Sequence, residues 1–306
     1  MSGATLTPLS PPPPEGGASL TLGRVGRAAR PWWTLPQRWR NPIGLVGAAV
    51  VLLTVVVALA APLIAPYDPD AQGSERLLPP SGSNLMGTDE LGRDTFSRIV
   101  FGARVSLQVG IISVFIALLI GAIFGITAGF LQGRTDTWLM RGVDIMFAFP
   151  GLVLAIVIAG LLGASRTNAM IAIGLVYAPA FARVIRGSVL SVMSEPYVEA
   201  GRVVGSTNGR LIRQYVLPNI VAPLIVMISV YLSSAILSEA ALSFLGLGTQ
   251  PPEPAWGGML NLARTYMEIS PWMAIFPGLA IMIVVLGFNF LGDGLRDILD
   301  PRLRAS

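Results

Sequence analysis

The chain holds 306 residues, 53% of them hydrophobic and only 12% charged, with a mean hydropathy of +0.67. Soluble domains carry about 25% charged residues, so a surface this poor in charge suits lipid and would leave large apolar patches in water. The formal charge of +4 rests on 21 basic residues, all arginine, scattered between apolar runs, which excludes a nucleic-acid face. Cys and His are both absent, which excludes thiolate nucleophiles, imidazole bases and Cys/His zinc sites.

Residues 1–40 combine Pro8 and Pro11 to Pro14 with Arg24, Arg27, Arg30, Arg38 and Arg40. Such a segment cannot bury enough apolar surface to fold and reads as a disordered cytoplasmic tail. Ala58-Leu59-Ala60 resembles a signal cleavage site. However, the preceding tail is too long for an n-region and the apolar stretch too long for an h-region, so an uncleaved first span is expected.

A span needs about 20 apolar residues to cross about 30 Å of hydrocarbon. Six segments meet or approach that length, near 43–65, 105–131, 143–163, 169–190, 219–245 and 273–292. The expected fold is therefore an all-α integral membrane protein of six transmembrane helices. Its parts would be a tail at 1–40, a first helix and outer loop at 41–103, a core at 104–292 and a cytoplasmic tail at 293–306. The fourth segment is interrupted by Pro179, Arg183 and Arg186, and its charged end should leave the bilayer. Gly121, Gly125 and Gly129 in the second segment are spaced for close helix contact. A short re-entrant or interfacial helix is expected around 251–264. Counting arginines on either side of the spans favours both termini in the cytoplasm.

The stretch 195–219 lies between the fourth and fifth spans, on the cytoplasmic side in that topology. Pro196 suits a helix start, Glu199 its first turns and Gly205 its end. Ser206 or Thr207 could cap a second short helix bearing Leu211, Ile212 and Tyr215 at helical spacing, and Pro218 opens the fifth span. The expected product is a helix–turn–helix with an apolar ridge and basic flanks. Residue physics leaves two uses open, resting on lipid headgroups or docking to a partner protein.

Glu199-Ala200-Gly201, then Gly205, then Leu217-Pro218 resembles the EAA loop of ABC importer permeases, with matching spacing. Gly201 stands where the pattern has alanine, and Tyr215 where it has an aliphatic. Met86 to Asp94 is similar to the Gly-Thr-Asp-x-x-Gly-Arg-Asp element of the dipeptide, oligopeptide and nickel permease family. The stretches Val143-Asp144-Ile145 with Phe147-Ala148-Phe149-Pro150, Ser238 to Gly248, Trp256-Gly257, Leu291 to Asp297 and Asp300 to Arg304 are similar to further elements of that family. Together they cover roughly residues 43–304 and resemble its C-type subunits most.

The resemblance implies the ABC importer type I transmembrane-domain fold. It also implies a heterodimer with a second permease subunit, two ATP-binding subunits and an extracytoplasmic solute-binding protein, in a bacterial inner membrane. It places Glu199, Ala200, Gly201, Gly205, Ser206, Leu217 and Pro218 in an ATPase-coupling loop. A chain without lysine cannot hold Gly-x-x-x-x-Gly-Lys-[Ser/Thr], so ATP and Mg would bind the partners, with no catalytic, cofactor or metal site here. Peptides are the expected cargo, with nickel, glutathione or another small solute as the alternative and a secondary transporter as the rival class.

Three acidic features stand apart. Asp144 is expected to pair with Arg141 at a membrane edge, at i,i+3 spacing, or to serve in the pathway or its gating. Glu239, near the outer end of the fifth span, could meet a substrate amino group or serve in packing or gating. Asp89, Glu90, Arg93 and Asp94 read as a structural element or a contact for the binding protein.

Overall fold

The structure is a computed structural model that describes residues 42–299. The tail reading for 1–40 and the Asp300 to Arg304 motif lie outside those residues. Eleven helices follow in order: α1 Pro42–Leu59, α2 Ala61–Ile64, α3 Thr95–Leu131, α4 Gly133–Phe147, α5 Gly151–Leu162, α6 Arg166–Met193, α7 Pro196–Val203, α8 Asn208–Leu211, α9 Leu217–Phe244, α10 Trp256–Tyr266 and α11 Trp272–Leu299. Among the described residues five helices are long and apolar enough to cross a membrane, and a sixth crossing exists if the bent α4–α5 pair counts as one.

The third expected span is therefore corrected. Instead of one helix over 143–163, the chain makes α4 and α5, bent by 90° at the break between them. The cause is local, because Pro150 cannot continue the helix before it and restricts Phe149 to extended geometry. The second span begins earlier than expected, at Thr95, and runs 37 residues. That is about 55 Å of helix, well beyond a hydrocarbon core of about 30 Å. The last helix likewise continues past 292 to Leu299, so the first part of the expected tail is helical.

The core forms where α3 lies against α6. A Cβ on Gly125 would sit 2.6 Å from the Ala182 carbonyl oxygen, and one on Gly129 would sit 2.8 Å from Val189 Cβ. Gly174 on α6 has no room for a Cβ beside Ile116 of α3 (2.7 Å). The glycine spacing thus does what small-residue stripes do in lipid, letting two backbones approach. Phe181, Ile185 and Val189 are fully buried beside it. A second seam joins α1 to α11, where a Cβ on Gly44 would sit 2.8 Å from Gly294 Cα. Outward-facing positions on the spans, such as Leu52, Phe115, Val157 and Met282, are exposed and apolar.

The loop ahead of α3 is a compact fold of its own charges. Asp89 accepts from the backbone of Leu91 and Arg93 at 2.9 Å each and from Arg93 Nε at 2.6 Å. Arg93 also meets Glu90 at 3.1 Å. Asp94 caps α3, accepting from Ser97 N at 2.8 Å and from Asn84 Nδ2 at 2.9 Å. With Asp89, Arg93 and Asp94 all buried, the structural reading of this element holds. Arg98 ties it to α10's leader by donating to the carbonyls of Pro69 at 2.8 Å and Pro252 at 3.3 Å. α10 itself stands where an interfacial helix was expected. Trp256 anchors it, with Nε1 donating to the Ile99 carbonyl at 3.0 Å.

Candidate functional site

The 195–219 segment folds as the helix–turn–helix that its residues suggest. Pro196 opens α7 and Glu199 sits in its first turn. Gly205 adopts φ +82°, the left-handed region that favours glycine. Ser206 N donates to the Gly201 carbonyl at 3.0 Å and Gly205 N to the Arg202 carbonyl at 2.9 Å. That pair of bonds is the Schellman arrangement with Gly205 just past the helix end. Thr207 stands at the start of α8, yet no side chain caps that helix. The capping expected of Ser206 or Thr207 is therefore absent.

Between α8 and α9 the backbone widens into a single π turn, Ile212–Val216. Pro218 explains it, since its ring lacks an N–H and would clash with the carbonyl four residues back. Asn219 Nδ2 donates to the Tyr215 carbonyl at 2.7 Å, satisfying one group that the widening frees.

The apolar ridge turns inward. Val198, Leu211 and Val216 are buried, and Leu211 and Tyr215 pack against Gly201. The Tyr197 and Tyr215 rings lie 5.9 Å apart. What the segment presents outward is a different pair, Val203 and Val204, at 85% and 80% exposure. Glu199, Ala200, Arg202, Arg210, Arg213, Leu217 and Pro218 are exposed as well. Helical spacing had marked Leu211, Ile212 and Tyr215 instead. The available signal for the valines was their place directly before the helix-ending Gly205, where no later turn can cover them.

Glu239 lies elsewhere, at the opposite end of α9, and is fully buried. Its Oε1 accepts from Ser243 Oγ at 2.7 Å and Thr249 Oγ1 at 3.4 Å, while Ser243 Oγ accepts from Thr249 N at 3.0 Å. The carboxyl thus fastens the corner between α9 and α10. Asp144 pairs with Arg183 of α6 at 2.7 Å, not with Arg141. The correction follows from α4 packing on α6, which turns Asp144 toward α6, while Arg141 lies over the Trp138 ring at 5.8 Å. Among the described residues no group of acidic, His or Cys side chains could hold a metal ion.

A membrane bundle with an EAA-like pattern in the helix–turn–helix before α9 points to the transmembrane subunit of a transporter. The chain belongs to the family described as the binding-protein-dependent transport system inner membrane component, which matches residues 99–305. The N-terminal transmembrane domain of oligopeptide transport permease C matches residues 38–80. The chain is 42% identical over 303 residues to a dipeptide transport system permease of Alkalihalophilus pseudofirmus, covering 98% of this chain and 97% of that protein. It is 41% identical over 291 residues to a glutathione transport system permease of Pectobacterium atrosepticum, covering 94% and 97%. An inward-facing MetNI methionine ABC transporter has a chain of the same fold, with a TM-score of 0.55 at 18% identity over 67% of this chain and 97% of that one. The chain is thus a multi-pass permease subunit of the inner membrane with the ABC importer fold.

Proposed function

We propose that this chain forms half of the translocation pathway of a peptide importer and is driven through its 195–219 segment. The supporting observation is the outward geometry of α7. A Schellman turn at Gly205 ends α7 with Val203 and Val204 exposed, and Glu199 and Arg202 of the same helix are exposed as well. An exposed apolar pair beside charged residues suits insertion into a groove on another protein, because the apolar side chains gain from burial while the charges stay wet. The partners would be a second permease subunit, two ABC subunits that bind ATP and Mg, and an extracytoplasmic solute-binding protein. Both termini would lie in the cytoplasm, on the side of α7.

Di- or oligopeptide cargo is supported by the dipeptide permease relative. Glutathione, carried in the name of another relative, stays with nickel and other small solutes as the alternative. A self-powered secondary transporter would need its own charged groups at mid-membrane. Glu239 is occupied instead by Ser243 and Thr249.

The test is ATP hydrolysis and uptake by the complete reconstituted importer carrying Gly205→Pro. Proline cannot adopt φ +82° and removes the N–H that bonds Arg202. Binding-protein-stimulated hydrolysis and peptide uptake should both collapse while the subunits still co-purify. Uptake that proceeds unchanged without any ATPase partner would overturn the reading.

A further inference from the structure

α4 divides its charges by face. Asp136 and Asp144 are both held by α6: Arg186 Nη2 donates to Asp136 Oδ2 at 2.5 Å and Arg183 Nη2 to Asp144 Oδ1 at 2.7 Å. The Arg183 guanidinium also lies 4.2 Å from the centre of the Phe147 ring, at the end of α4. Val143, between the two acids, is buried. These contacts fix which side of α4 meets the bundle.

The other side carries Arg134, Trp138, Arg141 and Ile145, spaced i, i+4, i+7 and i+11 and so on one helical stripe. Trp138 is 72% exposed and Ile145 65%, and both arginines are exposed. Among the described residues no acidic side chain forms an ion pair with Arg134 or Arg141, although α4 has two acids of its own. α4 also meets the wholly apolar α5 at 90°. With α5 directed into the bilayer, α4 lies along its surface.

A helix in the membrane plane with arginines and an exposed tryptophan on one stripe has the chemistry of headgroup contact. Tryptophan favours the headgroup level, and arginine pairs with phosphate. The cytoplasmic leaflet carries anionic lipid, which attracts basic residues at the surface. We propose that Arg134, Trp138 and Arg141 form a binding site for the phosphate of an anionic phospholipid in the leaflet beside α7. Arg134 and Arg141 bracket the phosphate, Trp138 sits at the glycerol level between them, and Ile145 leads toward the acyl chains and α5. This placement rests on the membrane topology proposed above. Lipid charge would then hold α4 against the bilayer while the Asp136–Arg186 and Asp144–Arg183 pairs transmit its position to α6.

The experiment compares the complete importer with its Arg134→Gln/Arg141→Gln variant by native mass spectrometry, after release from vesicles of equal phosphatidylglycerol and phosphatidylcholine. Retained phosphatidylglycerol should fall, with about a fivefold loss in occupancy of this site per arginine removed. Arg264→Gln on α10, at the other side of the membrane, should retain the wild-type lipid ratio. In a chain without cysteine, Trp138→Cys gives a single spin-label site in this subunit, expected at headgroup depth and accessible to both oxygen and an aqueous relaxant. An unchanged lipid ratio in the double variant overturns the proposal. So does a label shielded from both relaxants, which would mean that another subunit covers α4. ATP-dependent peptide uptake is read on the same samples. Its absence from the wild type in these vesicles would fail the permease reading, whereas normal uptake with an unchanged lipid ratio fails the lipid site alone.

Discussion

Gly201 and Tyr215 are in contact. A Cβ on Gly201 would lie 3.4 Å from Tyr215 Cε2 and 3.3 Å from Leu211 Cδ2. These are the two positions at which the segment departs from the EAA pattern, and the structure makes them one departure. A missing methyl on α7 leaves the space that a larger ring enters from the turn before α9. Gly201→Ala alone should crowd that ring, offsetting the gain of about 1 kcal/mol that Ala brings over Gly inside a helix. Tyr215→Leu alone should leave a void under α7. Combined, the two changes should be less damaging than their sum, with a coupling of about 0.5–1 kcal/mol. Thermal unfolding of the four purified proteins in detergent measures it, and strict additivity would show that the contact carries no energy.

Gly205 should respond by backbone conformation rather than by size. An added Cβ meets nothing within 4 Å, yet φ is +82°. Gly205→Asn should keep most binding-protein-stimulated hydrolysis, because asparagine tolerates the left-handed region. Gly205→Val should lose it, since a β-branched residue there is a strained outlier. Equal activity in the two variants would mean that the turn geometry is not what transmits the signal.

Gly125 tests the opposite case, a crowded glycine in a helix. Its missing Cβ faces the Ala182 carbonyl at 2.6 Å and Ile185 Cβ at 2.8 Å, and a backbone carbonyl cannot swing aside as a side-chain tip can. Gly125→Val should separate α3 from α6 and cost about 1–3 kcal/mol. Gly160→Ala on α5, where nothing lies within 4 Å, should be tolerated. Melting temperature and monodispersity after solubilisation distinguish them.

Those glycines show what was legible beforehand. Spacing announced Gly121, Gly125 and Gly129 as a contact stripe, because helical period depends only on local sequence, though it could not name α6 as the partner. Hydropathy located the spans but not the α4–α5 bend, since a window average is blind to direction. The pairing of Asp144 with Arg141 follows from local spacing alone. Both i,i+3 neighbours are visible in the sequence, while Arg183 reaches Asp144 only through tertiary packing. At the 195–219 segment, Pro196, Gly205 and Pro218 were readable as start, stop and reopening because each acts through its own backbone. The inward turn of Leu211 and Tyr215, and the exposure of Val203 and Val204, depend on how α7 sits on the bundle.

Glu239 is the residue whose sequence position leaves substrate contact, packing and gating open and whose surroundings indicate fastening. Its Oε1 takes hydrogen bonds from Ser243 and Thr249, and the side chain is fully buried. Glutamine offers the same oxygen in the same place without the charge, so Glu239→Gln should keep both the fold and uptake. Glu239→Ala removes the acceptor, leaves two buried hydroxyls to find new partners, and opens a void. Unsatisfied buried groups cost about 1–3 kcal/mol each, so the loop between α9 and α10 should loosen. Limited proteolysis would detect that loosening as new cleavage within 246–255, alongside a lower melting temperature. If Glu239→Gln instead abolished uptake while melting as the wild type does, the negative charge itself would be required. The corner would then have to open during transport and present that carboxylate to the cargo.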